Sequence, residues 1–216
     1  MHKITVKDVS KKFGERTIVE GVNAQFTSGH IYGLVGRNGS GKTVFLKCVC
    51  GFMGVTDGEI DLDGKVVKKD MEFLENMGFL IEHPGFLDTA TGFENLKYLA
   101  SVRRIAGKEK IEESIRRVGL DPHSKKKVGT YSMGMKQRLG IAQAIMEDPD
   151  ICILDEPMNG LDDSGVDLIR NLLLELKQDG KVIILASHFK EDISLLCDEV
   201  YAFGDKHMIR QDTPTQ

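Results

Sequence analysis

The sequence has no paired cysteine motif, no long apolar run and no surplus of positive charge, and each absence removes a class of protein. Cys48, Cys50, Cys152 and Cys197 lie among apolar neighbours without C-x-x-C spacing, so buried thiols are expected in place of disulfides or a metal site. The longest nearly apolar run, Val44 to Val55, is interrupted by Lys47 and falls short of the roughly 20 residues that span a bilayer, so no membrane crossing is expected. "MHKITVKDVS" alternates polar and apolar residues where a secretory signal needs a continuous apolar core, and a cytoplasmic location is the expectation. A net charge of -4 gives no general attraction to nucleic acid, and no nucleic-acid partner is expected. Repeats, low-complexity tracts and flexible linkers are also missing. The 216 residues suit one domain, with or without a small lobe.

What is there begins with β patterning. "KITVKDV" and "IVEGVNAQF" alternate, and "HIYGLVG" is a short apolar strand running into a glycine-rich loop. "KTVFLKCVCGFM" then reads as a buried helix that Gly51 or Gly54 stops. In "GEIDLDGKVV" two short alternating runs flank Asp63-Gly64, a dipeptide suited to a tight hairpin. From Thr91 to Glu147 the spacing turns helical, in "TGFENLKYLASVRR", "KEKIEESIRRV" closed by Gly119, and "SMGMKQRLGIAQAIM". Strand character returns in "ICILDE". A helix follows through Leu168, Leu172 and Leu176, with Asp162, Asp163 or Ser164 as cap and Gly180 as stop. "KVIILAS" is a further buried strand and "DEVYAFGDKHMI" a final hairpin. Apolar strands alternating with helices after an antiparallel opening predict a three-layer α/β core with a helical insertion.

"GRNGSGKT" at 36–43 fits the phosphate-loop pattern G-x-x-x-x-G-K-[ST] in the strand-before, helix-after context its mechanism needs. Gly36, Gly39 and Gly41 let the backbone curl so that the N–H groups of Arg37, Asn38, Ser40 and Val44 and their neighbours face phosphate oxygens, helped by the start of the next helix. Lys42 is expected to reach the β- and γ-phosphates, and Thr43 to place its hydroxyl on Mg²⁺. Asp155 should emerge at the C-terminal edge of "ICILD" and serve the same cation through water. Glu156 follows it, placed to orient or deprotonate an attacking water. A GTPase would carry an N-K-x-D pattern, which does not occur.

"YSMGMKQRLGIAQAIMEDPDICILDEP" resembles the signature segment of ATP-binding cassette (ABC) ATPases running into their second nucleotide motif. The resemblance covers nearly the whole chain. Where that signature usually reads L-S-G-G-Q, this sequence has Tyr131, Ser132, Met133, Gly134 and Met135. "NGLD" at 159–162 is similar to the family's D-loop, which brings Asp162 into the candidate site; His188 matches its switch histidine, and Phe13 stands where an aromatic underlies adenine. The resemblance implies a P-loop NTPase fold with an N-terminal antiparallel β subdomain and an inserted helical lobe. The core would take about 1–90 and 148–216, and the lobe about 91–147. It also implies ATP and Mg²⁺ as ligands, with Ser132 and Gly134 of one subunit facing the γ-phosphate held by Lys42 of another. Two identical chains, or this chain and a related ATPase, would then share two sites.

Met133 and Met135 depart from the usual signature by adding bulk. Glu82, in "GFLIEHPGF", stands where the family has a glutamine that ligates Mg²⁺; a carboxylate still ligates the metal but donates no hydrogen bond. With "YSMGMKQRL", that glutamate makes the chain similar to bacitracin- and lantibiotic-type exporter ATPases. The implied function is ATP hydrolysis that energises a separate membrane permease, with peripheral attachment to the inner face of the membrane. Phe86 and Phe93 are expected to be exposed where the permease docks. Two other readings stand beside it: a soluble ABC ATPase of an assembly complex, and a nucleotide-binding regulatory module with little turnover.

Overall fold

The computed structural model describes residues 1–82 and 84–211, so the end of the expected core segment, 212–216, lies outside the described residues. The chain opens with β1 (Lys3–Phe13), β2 (Arg16–Thr27) and β3 (His30–Val35), followed by α1 (Lys42–Cys50). Next come β4 (Asp57–Leu62), β5 (Lys65–Val66) and β6 (Met77–Leu80), then the helices α2 (Gly92–Arg103), α3 (Lys108–Arg117) and α4 (Met133–Ile145). The last part runs β7 (Ile151–Asp155), α5 (Asp163–Gln178), β8 (Val182–Ala186), α6 (Lys190–Leu196), β9 (Glu199–Gly204) and β10 (His207–Gln211).

Two sheets result. One is antiparallel, in the order β2-β1-β4-β5; the other runs β10-β9-β3-β8-β7-β6, parallel throughout except for β10. The parallel strands are apolar without alternation because both of their faces are covered. Along β8, Val182, Ile184 and Ala186 join a core shared with α1 and the antiparallel sheet, while Ile183 and Leu185 join a second core with α4 and α5. β7 divides in the same way, Ile151 and Ile153 to the first core and Cys152 and Leu154 to the second. Each such large apolar side chain contributes about 1.5–3 kcal/mol on burial. All four thiols lie in these cores, and burial pushes Cys48 up to about 11 and Cys152 and Cys197 up to about 12.

Helix ends follow the sequence closely. Gly51 closes α1 in the left-handed conformation, and Asp162 is the residue of the three candidates that caps α5, accepting from Gly165 N at 3.1 Å. Thr91 opens α2 with a capping box: Glu94 N donates to Thr91 Oγ1 at 3.2 Å and Thr91 N donates to Glu94 Oε2 at 2.7 Å. That backbone bond is the main reason the Glu94 carboxyl is held down at about 2. Asp63 and Gly64 both take positive φ in the β4–β5 turn, as the hairpin expectation required. Two short elements, β6 and α6, had no sequence counterpart in the expectations above.

Candidate functional site

β3 delivers the chain into the loop 36–41, and α1 carries it away. Gly41 holds φ 108°, a conformation that a side chain would strain, and a Cβ there would also lie 3.1 Å from the Ile18 carbonyl oxygen. No side chain caps α1 and no acidic residue lies in its first turn, so the helix presents its N–H groups and positive dipole end toward the loop. Lys42 is 6% exposed. Its ammonium donates to the carbonyls of Gly36 at 2.7 Å and Arg37 at 3.4 Å, which positions it across the mouth of the loop. Ser40 Oγ is buried there without a partner, a polar atom in a cradle suited to phosphate oxygens. Arg37, Asn38 and Gly39 form the exposed tip, and Val44 is half-buried behind Thr43.

Next to the loop, Thr43 Oγ1 donates to Asp155 Oδ2 at 2.6 Å, joining residues 112 apart in sequence. Asp155 stands at the end of β7 as expected. Burial raises its pKa, against the lowering effects of the Thr43 bond and of Lys42. Glu82 lies near enough to raise it further, and Glu82 itself is ion-paired to Lys47 of α1, Oε1 to Nζ, at 2.7 Å. The donors in this cluster are a hydroxyl and carboxylates, the hard oxygen set that suits Mg²⁺. Among the described residues no group of three or more His, Cys, Asp and Glu side chains would hold a metal unaided. A Mg²⁺ ion here would therefore complete its shell with phosphate and water oxygens.

Glu156 turns the chain out of β7 with φ 50°, a left-handed position unusual for a glutamate, while its N–H donates to the Ala186 carbonyl at 2.8 Å. Its Oε2 accepts from His188 N at 3.3 Å and lies 2.7 Å from His188 Nδ1. His188 thus holds the carboxylate twice, and its ring leans on Phe189 with centroids 4.0 Å apart. From the other side Gln137 of α4 donates its Nε2 to the Glu156 carbonyl at 2.9 Å.

Ser132 caps α4, accepting from Met135 N at 3.2 Å, which leaves its own O–H to donate elsewhere. Gly134 packs so tightly that a Cβ would lie 2.6 Å from the Gly160 carbonyl oxygen. Met133 is 62% exposed, yet its methyl occupies the space that a side chain on Gly160 would need. Segments 132–134 and 159–162 are thereby interlocked, with the α5 cap Asp162 at the end of the second. Met135 is half-buried against the core. Phe13 ends β1 with its ring 48% exposed and Lys11 Nζ 5.1 Å from the centroid.

Phe86 and Phe93 differ from expectation. Both are half-buried and packed against the core, Phe93 from the first turn of α2 and Phe86 from the segment before it, and the exposed apolar side chains nearby are Leu87, Tyr98, Val102 and Ile105. Sequence reasoning also missed Gln137 and Lys47. Gln137 left a signal, since it shares the spacing of Gly134 and Ile141 on the face of α4 that is otherwise buried and apolar. Lys47 left none: a lysine near the middle of a helix reads as solvated.

Comparisons with known proteins agree with this geometry. The ABC transporter family model matches residues 19–159. The uncharacterized ABC transporter ATP-binding protein YybJ of Bacillus subtilis (strain 168) is 44% identical over 195 residues, covering 90% of this chain and 89% of the relative. The bacitracin transport ATP-binding protein BcrA of Enterococcus faecalis is 40% identical over 96% of this chain and 68% of its own length. The lantibiotic transport ATP-binding protein SrtF of Streptococcus pyogenes is 32% identical over 90% of this chain and 84% of its own. Among solved structures, the dimeric structure of MJ0796, a bacterial ABC transporter cassette, superimposes with a TM-score of 0.86 over 99% of both chains at 22% identity, a likeness of fold. Among the described residues no helix is long and apolar enough to cross a membrane. The chain belongs to the ABC transporter family.

Proposed function

We propose that this chain binds and hydrolyses ATP as the energising subunit of a transporter whose membrane permease is a separate polypeptide, of the exporter type that handles peptide antibiotics. It would sit at the inner face of the membrane by way of that permease. The observation that carries the reading is the convergence of Lys42, the Thr43–Asp155 pair and the Glu156–His188 pair on one end of the parallel sheet. ATP-binding proteins of bacitracin and lantibiotic transport among its relatives support the transported class. We also take about 91–147 as a helical lobe set into a core formed by the rest.

Loop amides and the α1 terminus hold the β- and γ-phosphates, and Lys42 swings from the Gly36 and Arg37 carbonyls to the phosphate oxygens. Bound Mg²⁺ would supply charge neutralisation between those oxygens. Thr43 and Asp155 would hold it, with Glu82 as a further ligand. Glu156 Oε2 accepts the proton of the attacking water while His188 fixes the carboxylate's direction. Phe13, at the tip of the hairpin that borders Gly41, stacks on adenine. Ser132 and Gly134 reach the γ-phosphate of a partner subunit from the N-terminus of α4, with Asp162 at the same seam.

The experiment is a sizing measurement with Mg·ATP on the Glu156→Gln variant, with phosphate release measured on both forms. The reading expects a nucleotide-dependent dimer of the variant and turnover only in the parent chain. A variant that stays monomeric with Mg·ATP even beside its co-purified permease would sink it.

A further inference from the structure

The mechanism above uses Glu82 as a metal ligand but gives no role to Lys47, which is ion-paired to it. Lys47 sits one helical turn beyond Thr43, so its stem runs along the same face of α1 as the hydroxyl that bonds Asp155. Glu82 approaches from the other side. Its backbone, at φ 61°, is held in the left-handed region, and its Oε1 meets Lys47 Nζ at 2.7 Å. Three carboxylate or phosphate groups around one cation position would repel one another before the cation arrives, and Lys47 is the positive charge that already engages one of them.

We propose that Lys47 is a positioning residue that latches Glu82: it holds the carboxylate until Mg·nucleotide draws Glu82 across to the cation, and it recaptures Glu82 when the cation leaves. This rests on the reading of the site as one for Mg·ATP. Side-chain exposures of 27% for Lys47 and 61% for Glu82 leave water between them and their surroundings, so the latch is weak. An exposed pair of this kind shifts an equilibrium about two- to five-fold. That weakness lets the latch open and close in each cycle.

A fluorescent ATP analogue titrated into the full chain, once in EDTA and once in Mg²⁺, gives the factor by which the metal tightens nucleotide binding. Lys47→Met is expected to raise that factor about two- to five-fold, because Glu82 is released to the metal and repels metal-free nucleotide more strongly. With Glu82→Gln already present, Lys47→Met is expected to leave the factor much less changed, since no carboxylate remains to be latched. Equal changes in both backgrounds would mean that Lys47 acts on the nucleotide directly, and no change in either would mean that it acts on nothing; both overturn the latch. Thermal melts of each variant establish that folding is intact. A parent chain that binds the analogue without any response to Mg²⁺ would overturn the underlying reading as well, which separates the two failures.

Discussion

The phosphate-loop side of the molecule and the signature side are built on opposite plans. At the base of the loop the polar side chains have answering groups within the chain, Lys42 with two carbonyls, Thr43 with Asp155, Lys47 with Glu82 and Glu156 with His188, while Arg37 stands at the exposed tip. On the signature side the tight contacts are structural, Ser132 capping its helix and Gly134 against Gly160, while Met133 faces outward. One region is preorganised for chemistry and the other is a shaped, stiff surface. The difference fits the proposal that the signature segment serves a partner's site, and each prediction here breaks one plan while sparing the other.

Glu156→Gln has the largest expected effect. On the proposed role of Glu156 as proton acceptor, steady-state phosphate release should fall about 10²–10⁴-fold with nucleotide affinity retained. Gly134→Val attacks the other side: its side chain meets the Gly160 carbonyl, and overpacking should cost about 1–3 kcal/mol in denaturant melts. Turnover should drop with it, whereas affinity of the monomer for a fluorescent nucleotide should stay near the parent value.

A smaller effect tests the interlock itself. Gly160→Ala should destabilise by about 1 kcal/mol, from the left-handed φ of 73° together with the contact of the new methyl with Met133, and Met133→Gly in the same chain should recover only the part due to that contact. Additive melts for the double variant would show that the two segments are independent.

The smallest effect is electrostatic. Burial holds the Asp155 pKa above its ordinary 3.8, so ionisation begins to cost stability as the pH rises above 3.8, the cost is complete once the pH passes the folded-state pKa, and below 3.8 nothing is lost because the carboxyl is protonated folded or unfolded. Asp155→Asn should therefore raise stability at neutral pH, with the gain fading as the pH falls toward 3.8. Denaturant midpoints across that range measure it, and a gain that grows on acidification would reverse the assignment. Lost turnover in the same variant would mark a residue kept for chemistry at the expense of stability.

Much of this was legible because the chemistry lies in contiguous stretches. The loop 36–43 fixes its own strand and helix, "ICILD" announces a strand end, and Ser132 announces a helix start. Short elements were harder. β6 and α6 carry too few residues for a period to emerge, and α6 has no side-chain cap to mark its start. The aromatics Phe86 and Phe93 were misplaced because their burial depends on how α2 lies over the core, which no local pattern encodes. Lys47 and Glu82 meet across 35 positions through a backbone turn at φ 61°, and only tertiary structure brings them together.

The four sequestered thiols carry a practical consequence. With Cys48, Cys152 and Cys197 at about 11 to 12 and Cys50 shifted upward as well, essentially no thiolate is present at neutral pH. A cysteine engineered at exposed Tyr98 or Val102 would thus be the fastest to take a maleimide dye or spin probe, and spectroscopic rulers could be attached to the unmodified background without first stripping it of sulfur.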